Sequence, residues 1–194
     1  MSEIPGLSVI VSAPSGAGKT SIVRYLLRSI PGLEFSVSAT SRARRVSEVD
    51  GRDYHFISAE LFRAKITAGD FVEWEEVYPG QFYGTLKNEL QGIWSREHHV
   101  VFDVDVVGGL HLKEIFGDRA LALFVRPPSL HDLEARLMAR GTETQESLAK
   151  RMDKAARELT YAPRFDAEVV NDELSRACDE AVALVKEFLK AGAP

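Results

Sequence analysis

The chain of 194 residues contains a single cysteine, Cys178. One cysteine cannot form an internal disulfide, and it excludes a metal site built from several thiolates. Free cysteine most often behaves as a small hydrophobic side chain. We therefore interpret Cys178 as part of the core rather than as a reactive or metal-binding group.

Long apolar runs are also missing. No apolar stretch approaches a length of about 18 residues, which identifies a candidate membrane-spanning helix. The first residues, MSEIPGLSVIVSAPSG, do not combine a basic start with a long apolar segment, as a secretory signal does. The sequence therefore predicts no membrane association and a cytoplasmic location.

An excess of positive charge is absent as well, because the formal net charge is −5. Domains that bind nucleic acid without sequence preference are usually basic, so we expect no nucleic-acid partner. Hydrophobic residues make up 45% of the chain, which is enough for a substantial core. Nothing in the composition indicates an obligatory protein partner.

Apolar runs and helical patterns alternate along most of the chain. Buried strands are predicted at residues 7–12, 100–104, 120–125 and 167–170. Apolar residues at helical spacing predict helices at 18–29, 130–140, 142–161 and 173–189. Strands separated by helices predict the α/β class, with a mostly parallel sheet flanked by helices.

The stretch 35–96 breaks this alternation. It contains the short β-like pieces EFSVSATSR, DYHFIS and FVEWEEV, with one helical piece at 59–67. We therefore predict a small α+β lobe at 35–96, inserted into a core formed by 1–34 and 97–194.

A glycine-rich turn, APSGAGKT, joins the first strand to the first helix. Gly16 and Gly18 allow the backbone N–H groups to converge on an anion, and the helix N-terminus adds a favourable field. Lys19 can reach the β- and γ-phosphates, and the Thr20 hydroxyl can bind Mg²⁺. The usual pattern has glycine at the first position, where alanine also fits if its φ is negative. The predicted site for Mg-ATP or Mg-GTP comprises Ala13, Pro14, Ser15, Gly16, Ala17, Gly18, Lys19 and Thr20.

Asp103 ends the apolar run VVFD. An acid at the end of a parallel strand beside a phosphate loop can orient Mg²⁺ or its waters. The alternative is that this carboxylate only caps the following helix.

The inserted lobe carries three arginines within four residues, Arg42, Arg44 and Arg45. A guanidinium group can bind two phosphate oxygens at once, in a bidentate manner, so this cluster predicts a second phosphate-bearing ligand. The alternative is a solvated run of charge. Downstream, Glu73 alternates with Val72 and Trp74 and so lies on the opposite strand face.

Several motifs, in this order along nearly the whole chain, resemble the guanylate kinase family: SAPSGAGKTS, SVSATSRARR, DGRDYHF, FVEW, YGT, DVDVVG, RGTETQESLAKR and VVND. The resemblance implies a P-loop kinase core, a GMP-binding lobe at 35–96 and a helical lid at about 136–151. It implies transfer of the terminal phosphoryl group of ATP to GMP, and also to dGMP, with Mg²⁺ as cofactor.

The resemblance also implies individual roles. Ser38, Arg42, Arg45 and Tyr54 would bind the phosphate of GMP, with Tyr83 assisting. Guanine would be recognised by Glu73, Thr85 and Asp105, where the carboxylates accept from N1–H and the N2 amine while Thr85 donates to O6. Asn171 joins the ATP site, and Thr20 and Asp103 hold Mg²⁺, directly or through water. Catalysis is implied for Lys19, Arg42, Asp103, Arg140 and Arg151.

The sequence departs from the family pattern at Ser47, where glycine is common, and at Val106 and Val107. Two alternative functions remain open at this point. One is a kinase of the same fold that acts on another phosphorylated acceptor, such as a ribose bisphosphate. The other is a non-catalytic guanylate-kinase-like module that binds protein ligands.

Overall fold

The computed structural model describes residues 6–139 and 145–192. The strands are β1 (Ser8–Ser12), β2 (Leu33–Phe35), β3 (Ala39–Thr40), β4 (His55–Phe56), β5 (Phe71–Tyr78), β6 (Gln81–Leu86), β7 (His99–Asp103), β8 (Ala120–Arg126) and β9 (Ala167–Val170). The α-helices are α1 (Lys19–Ser29), α2 (Ala59–Ala68), α3 (Lys87–Trp94), α4 (Val106–Phe116), α5 (Leu130–Ala139), α6 (Gln145–Leu159) and α7 (Leu174–Ala191). Short 3₁₀ helices occupy Gly117–Arg119 and Ala162–Arg164.

The described residues form two compact units. The smaller unit comprises Glu34–Val100, and the larger comprises Gly6–Leu33 together with the chain from Val101 onward. Within the described residues, no helix combines the length and the apolar character needed to cross a membrane.

A five-stranded sheet with the order β2-β7-β1-β8-β9 confirms the predicted α/β class. Strand β1 is parallel to β8, and β8 is parallel to β9. All five residues of β1 are buried, as expected for a strand covered by helices on both faces. The four predicted strands are present within one residue at each end. Strand β2 overlaps the predicted β-like piece EFSVSATSR, which is predicted as part of the inserted lobe and not of this sheet.

The helices of the larger unit follow the predicted apolar spacing. Helix α1 buries Ile22, Val23 and Leu26. The Ser129 hydroxyl accepts a hydrogen bond from the Asp132 N–H at 3.0 Å, so this residue caps α5. Residues 140–144 lie outside the described residues, and with them the predicted lid arginine Arg140 and the start predicted for the next helix.

The smaller unit has its own sheet, with the order β4-β3-β6-β5. Its core is centred on Phe62, whose ring lies 4.3 Å from that of Phe71 and 5.3 Å from that of Phe82, measured between centroids. The sequence predicted α2 but not β6 or α3. Pairing across the β5–β6 hairpin brings Glu73 face to face with Thr85.

Candidate active site

The phosphate loop (residues 13–20) turns through two glycines with positive φ. Gly16 and Gly18 both have φ of +99°, a conformation that L side chains rarely adopt. Among the described residues other than glycine, only Glu97 has positive φ, so Ala13 meets the condition set for it. The loop therefore has the backbone that the motif requires without a first glycine.

Neighbouring side chains hold this loop closely. A Cβ on Gly16 would lie 2.9 Å from Leu137 Cδ2, and one on Gly18 would lie 2.2 Å from Asn171 Nδ2. Asn171 is buried, and its amide donates to the Ala17 carbonyl at 2.7 Å. The structure thus places Asn171, predicted at the ATP site, directly against the loop backbone.

Asp103 meets both functional side chains of the loop. The Lys19 ammonium lies 2.6 Å from Asp103 Oδ1 and donates to the Val104 carbonyl at 2.6 Å. The Thr20 hydroxyl donates to Asp103 Oδ2 at 3.2 Å. The helix-capping alternative for this acid is not what the structure shows, because Asp105 caps α4 by accepting from the Gly108 N–H at 2.8 Å.

Helices α5 and α6 bring arginines to the same place. Arg151 donates to the Ser15 hydroxyl of the phosphate loop at 3.2 Å. Arg136 donates to the Asn171 carbonyl at 2.8 Å, a structural contact that the sequence did not indicate. One predicted lid arginine therefore contacts the loop directly, and a second arginine braces its support.

Glu158 on α6 is a buried carboxylate that sequence reasoning missed. It is 8% exposed, and Lys154 Nζ lies 3.5 Å from its Oε1. Burial raises the pKa of Glu158, and the negative charge of Asp105 raises it further, while the positive charges of Lys154 and Lys19 oppose the rise. Charged residues in a polar helix are usually solvated, so the residue pattern contains no signal for the burial of Glu158.

In the smaller unit, predicted phosphate ligands gather around Arg42. Its Nε donates to the Tyr83 hydroxyl at 3.1 Å, and its guanidinium lies 5.1 Å from the centroid of the Tyr54 ring. Glu48, which the sequence did not single out, accepts from Arg42 Nη2 at 2.6 Å and Nη1 at 2.7 Å. These bonds from Arg42 are the main cause that lowers the pKa of Glu48 to about 2.

The other two predicted phosphate ligands are placed differently. The Ser38 carbonyl, directly before β3, accepts from the His55 N–H at 2.9 Å. Arg45 is exposed, and its backbone N–H donates to Glu48 Oε2 at 2.8 Å. The turn that follows is closed by a bond of 3.1 Å from the Glu48 N–H to the Arg45 carbonyl. Ser47 lies inside that turn without positive φ, so the turn does not require glycine there.

The predicted guanine ligands Glu73 and Thr85 face each other across the β5–β6 hairpin. The buried Thr85 hydroxyl donates to Glu73 Oε1 at 2.7 Å. An ionised carboxylate only accepts, so the single hydroxyl proton of Thr85 is directed at Glu73 in this structure. Donation by Thr85 to O6 of guanine stays a prediction. The third predicted guanine ligand, Asp105, belongs to the larger unit, where Val106 beside it is buried and Val107 is exposed.

The larger unit combines a parallel sheet, a strand–loop–helix that carries Lys19 and Thr20, and an acid at the end of the neighbouring strand β7. These features define the class of P-loop nucleotide kinases. Comparison with known proteins gives the family. The sequence profile of the guanylate kinase family matches residues 6–191. The chain therefore belongs to the guanylate kinase family.

Individual relatives agree with this assignment. A guanylate kinase of Salinibacter ruber is 52% identical over 183 residues, covering 94% of this chain and 97% of the relative. A guanylate kinase of Porphyromonas gingivalis is 47% identical over 182 residues, covering 93% and 97%. The crystal structure of guanylate kinase from Anaplasma phagocytophilum superposes with a TM-score of 0.73 at 25% identity, over 95% of this chain and 87% of that one.

Proposed function

We propose that this chain transfers the terminal phosphoryl group of ATP to GMP or dGMP and so serves purine nucleotide metabolism. Its family membership and the near-complete coverage of the curated guanylate kinases support an enzyme of this class. The observation that carries the proposal is the contact of Asp103 with both Lys19 and Thr20 of the phosphate loop. A module that only bound protein ligands would not require this arrangement.

The donor side of the reaction is assigned to the phosphate loop. Its backbone N–H groups and the positive charge of Lys19 are suited to a triphosphate. We propose that the Lys19 ammonium leaves Asp103 for the β- and γ-phosphates when ATP binds. Asn171 contributes by fixing the Ala17 carbonyl, and with it the adjoining peptide of the loop.

The oxygen ligands beside this loop suit Mg²⁺. The ion prefers hard oxygen donors and usually keeps several waters in protein sites. A hydroxyl and a carboxylate oxygen, 3.2 Å apart, are supplied by Thr20 and Asp103, and we assign Mg²⁺ to them, directly or through water. The ion would neutralise charge on the donor phosphates when bound.

The acceptor is assigned to the smaller unit. Arg42, Arg45, Tyr54, Tyr83 and Ser38 provide positive charge and hydroxyl groups for a phosphate monoester. Glu73 is suited to accept from N1–H and the N2 amine of guanine, and its bond with Thr85 orients it. Asp105 is assigned to the same base from the resemblance alone. In this structure its carboxylate accepts the Gly108 N–H.

The chemistry needs no general base, because the attacking atom is an oxygen of an already anionic phosphate. Catalysis then consists of alignment and charge stabilisation. Lys19 serves the donor phosphates, Arg42 and Arg45 reduce repulsion at the acceptor, and Arg140 and Arg151 act on the moving group. The contact of Arg151 with Ser15 supports this role.

A substrate panel separates this proposal from its nearest alternative. We expect ATP-dependent ADP release with GMP and dGMP, and little with AMP, CMP, UMP or a ribose bisphosphate. Lys19→Ala should lose on the order of 3–4 kcal/mol of transition-state stabilisation while GMP binding persists. Turnover with ribose bisphosphate alone, or near-normal turnover in Lys19→Ala, would contradict the proposal.

Guanine recognition has a separate test in Glu73→Gln. The amide places a donor where the base also donates, so GMP affinity should fall by about 1.5–3 kcal/mol. Inosine monophosphate lacks the N2 amine, and its disadvantage against GMP should shrink in the variant. Glu76→Gln is the matched control, since Glu76 lies on the same strand and accepts only the Gly80 N–H among the hydrogen bonds described. An unchanged preference in Glu73→Gln would transfer the role to Asp105.

A further inference from the structure

The arginine loop (residues 42–48) is organised by one carboxylate. Glu48 accepts from Arg42 Nη2 and Nη1 at 2.6 and 2.7 Å and from the Arg45 backbone N–H at 2.8 Å. Its own carbonyl accepts from Arg44 Nη1 at 3.0 Å. All three arginines of the loop are therefore bonded to Glu48: Arg42 and Arg45 bond to its carboxylate, and Arg44 bonds to its backbone carbonyl.

These contacts leave Arg42 little capacity for a ligand. A guanidinium has five N–H groups, and the bonds to Tyr83, Ala43 and Glu48 use one at Nε, two at Nη1 and one at Nη2. The group also lies 5.1 Å and 5.6 Å from the ring centroids of Tyr54 and Phe56. Arg42 is held in one orientation with a single N–H of Nη2 remaining.

Arg45 is arranged in the opposite way. Its backbone is fixed by Glu48 on both sides, through its N–H and through its carbonyl. Its guanidinium has no hydrogen bond or ion pair to any other residue in the described part of the chain, and the side chain is exposed. A rigid backbone that presents a guanidinium without hydrogen bonds is suited to bind an incoming anion.

We propose that Glu48 is a positioning residue for acceptor recognition: it fixes Arg42 and the turn so that Arg45 is the principal ligand of the acceptor phosphate. This inference rests on the proposed function, because the acceptor is GMP. A phosphate that displaced Glu48 could replace only the contact with Arg42. The bond from the Arg45 N–H to the carboxylate would be lost without replacement, so Glu48 remains in place when GMP binds.

The test compares GMP with guanosine, which has the same base and no phosphate. Glu48→Gln keeps the side-chain shape but turns a donor toward Arg42 or the Arg45 N–H. We expect it to weaken GMP binding at least about tenfold, the lower range for a hydrogen bond to a charged group, and to leave guanosine binding unchanged. Glu76→Gln, which alters another loop-closing carboxylate of this unit, should change neither affinity.

Two outcomes would overturn the inference. Equal loss of GMP and guanosine affinity would mean that Glu48 only maintains the fold of the unit. Unchanged or tighter GMP binding would mean that Glu48 contributes nothing or competes with the phosphate. Thermal unfolding of each variant confirms that folded proteins are compared.

The assignment of Arg45 has its own comparison. Arg45→Gln should lose more GMP affinity than Arg44→Gln, whose guanidinium is already bonded to the Glu48 carbonyl. Equal losses would contradict it. Failure of the proposed function is recognised separately, because the wild-type protein would then neither bind nor phosphorylate GMP.

Discussion

Replacing Asn171 with alanine would remove the buried amide that supports the phosphate loop. The side chain lies in the turn after β9 and donates to the Ala17 carbonyl at 2.7 Å. Ala17 is itself fully buried, so water cannot readily replace the lost donor. Both the stability of the larger unit and the geometry of the loop should suffer.

The magnitude follows from the unpaired carbonyl. Leaving a buried acceptor unsatisfied costs about 1–3 kcal/mol. For a chain of this length, each kcal/mol lowers the melting temperature by about 2–4 °C. Because the freed peptide adjoins the backbone N–H groups that cradle the triphosphate, KM for ATP should rise while KM for GMP changes little.

Asn171→Asp sharpens this test. At neutral pH its carboxylate would oppose the Ala17 carbonyl; an uncompensated buried charge costs about 3–5 kcal/mol, and the Arg136 guanidinium, bonded to the carbonyl of residue 171, reduces this cost. A protonated aspartic acid can donate again, so the deficit relative to wild type should shrink as pH falls. Asn88→Asp, at an exposed site on α3, is the matched control and should show no such dependence.

Urea unfolding between pH 4 and 8 and ATP kinetics measure these effects. If Asn171→Ala matches wild type in both stability and KM for ATP, the Asn171 amide does not support the loop. An Asn171→Asp variant that is no less stable than Asn171→Ala at neutral pH would also contradict this role.

Three further predictions concern stability. A Cβ on Gly109 would lie 2.2 Å from Ser12 Oγ, so Gly109→Ala should lower the free energy of unfolding by about 1–3 kcal/mol. Adding Ser12→Ala should recover part of this stability, and an equal or greater loss in the double variant would contradict the clash. The pKa of Glu48 is lowered from 4.5 to about 2, so its stabilising effect should be complete above pH 4.5 and disappear as pH falls toward 2, which unfolding of Glu48→Gln across this range would measure; a difference from wild type that stays constant would argue against it. The pKa of Glu158 is raised, so its ionisation destabilises the fold, and Glu158→Gln should gain stability relative to wild type as pH rises above 4.5, whereas the exposed Glu146→Gln on the same helix should not.

The sequence alone determined the features that depend on neighbouring residues. The strand, the glycine-rich loop and the start of α1 are contiguous, and positive φ at Gly16 and Gly18 is a local property of the backbone. Apolar runs located four of the five strands of the larger sheet, because burial on both faces requires such runs. Helix α3 was not predicted, and β2 was predicted only within a longer β-like piece, since short segments leave weak patterns.

Tertiary structure alone decided which side chains meet. Asn171 reaches the loop from 154 positions away. Asp103 contacts Lys19 because β7, which Asp103 ends, lies beside β1 in the sheet, whereas Asp105 lies beyond the end of β7 and caps α4. The direction of the Thr85 proton depends on the register of the β5–β6 hairpin, which places Glu73 opposite it. The bond between Arg42 and Glu48 depends on the turn at 45–48, which returns the chain to the arginine. Hydrogen bonds are set by distances between atoms, and residue types and spacing do not fix those distances until the chain has folded.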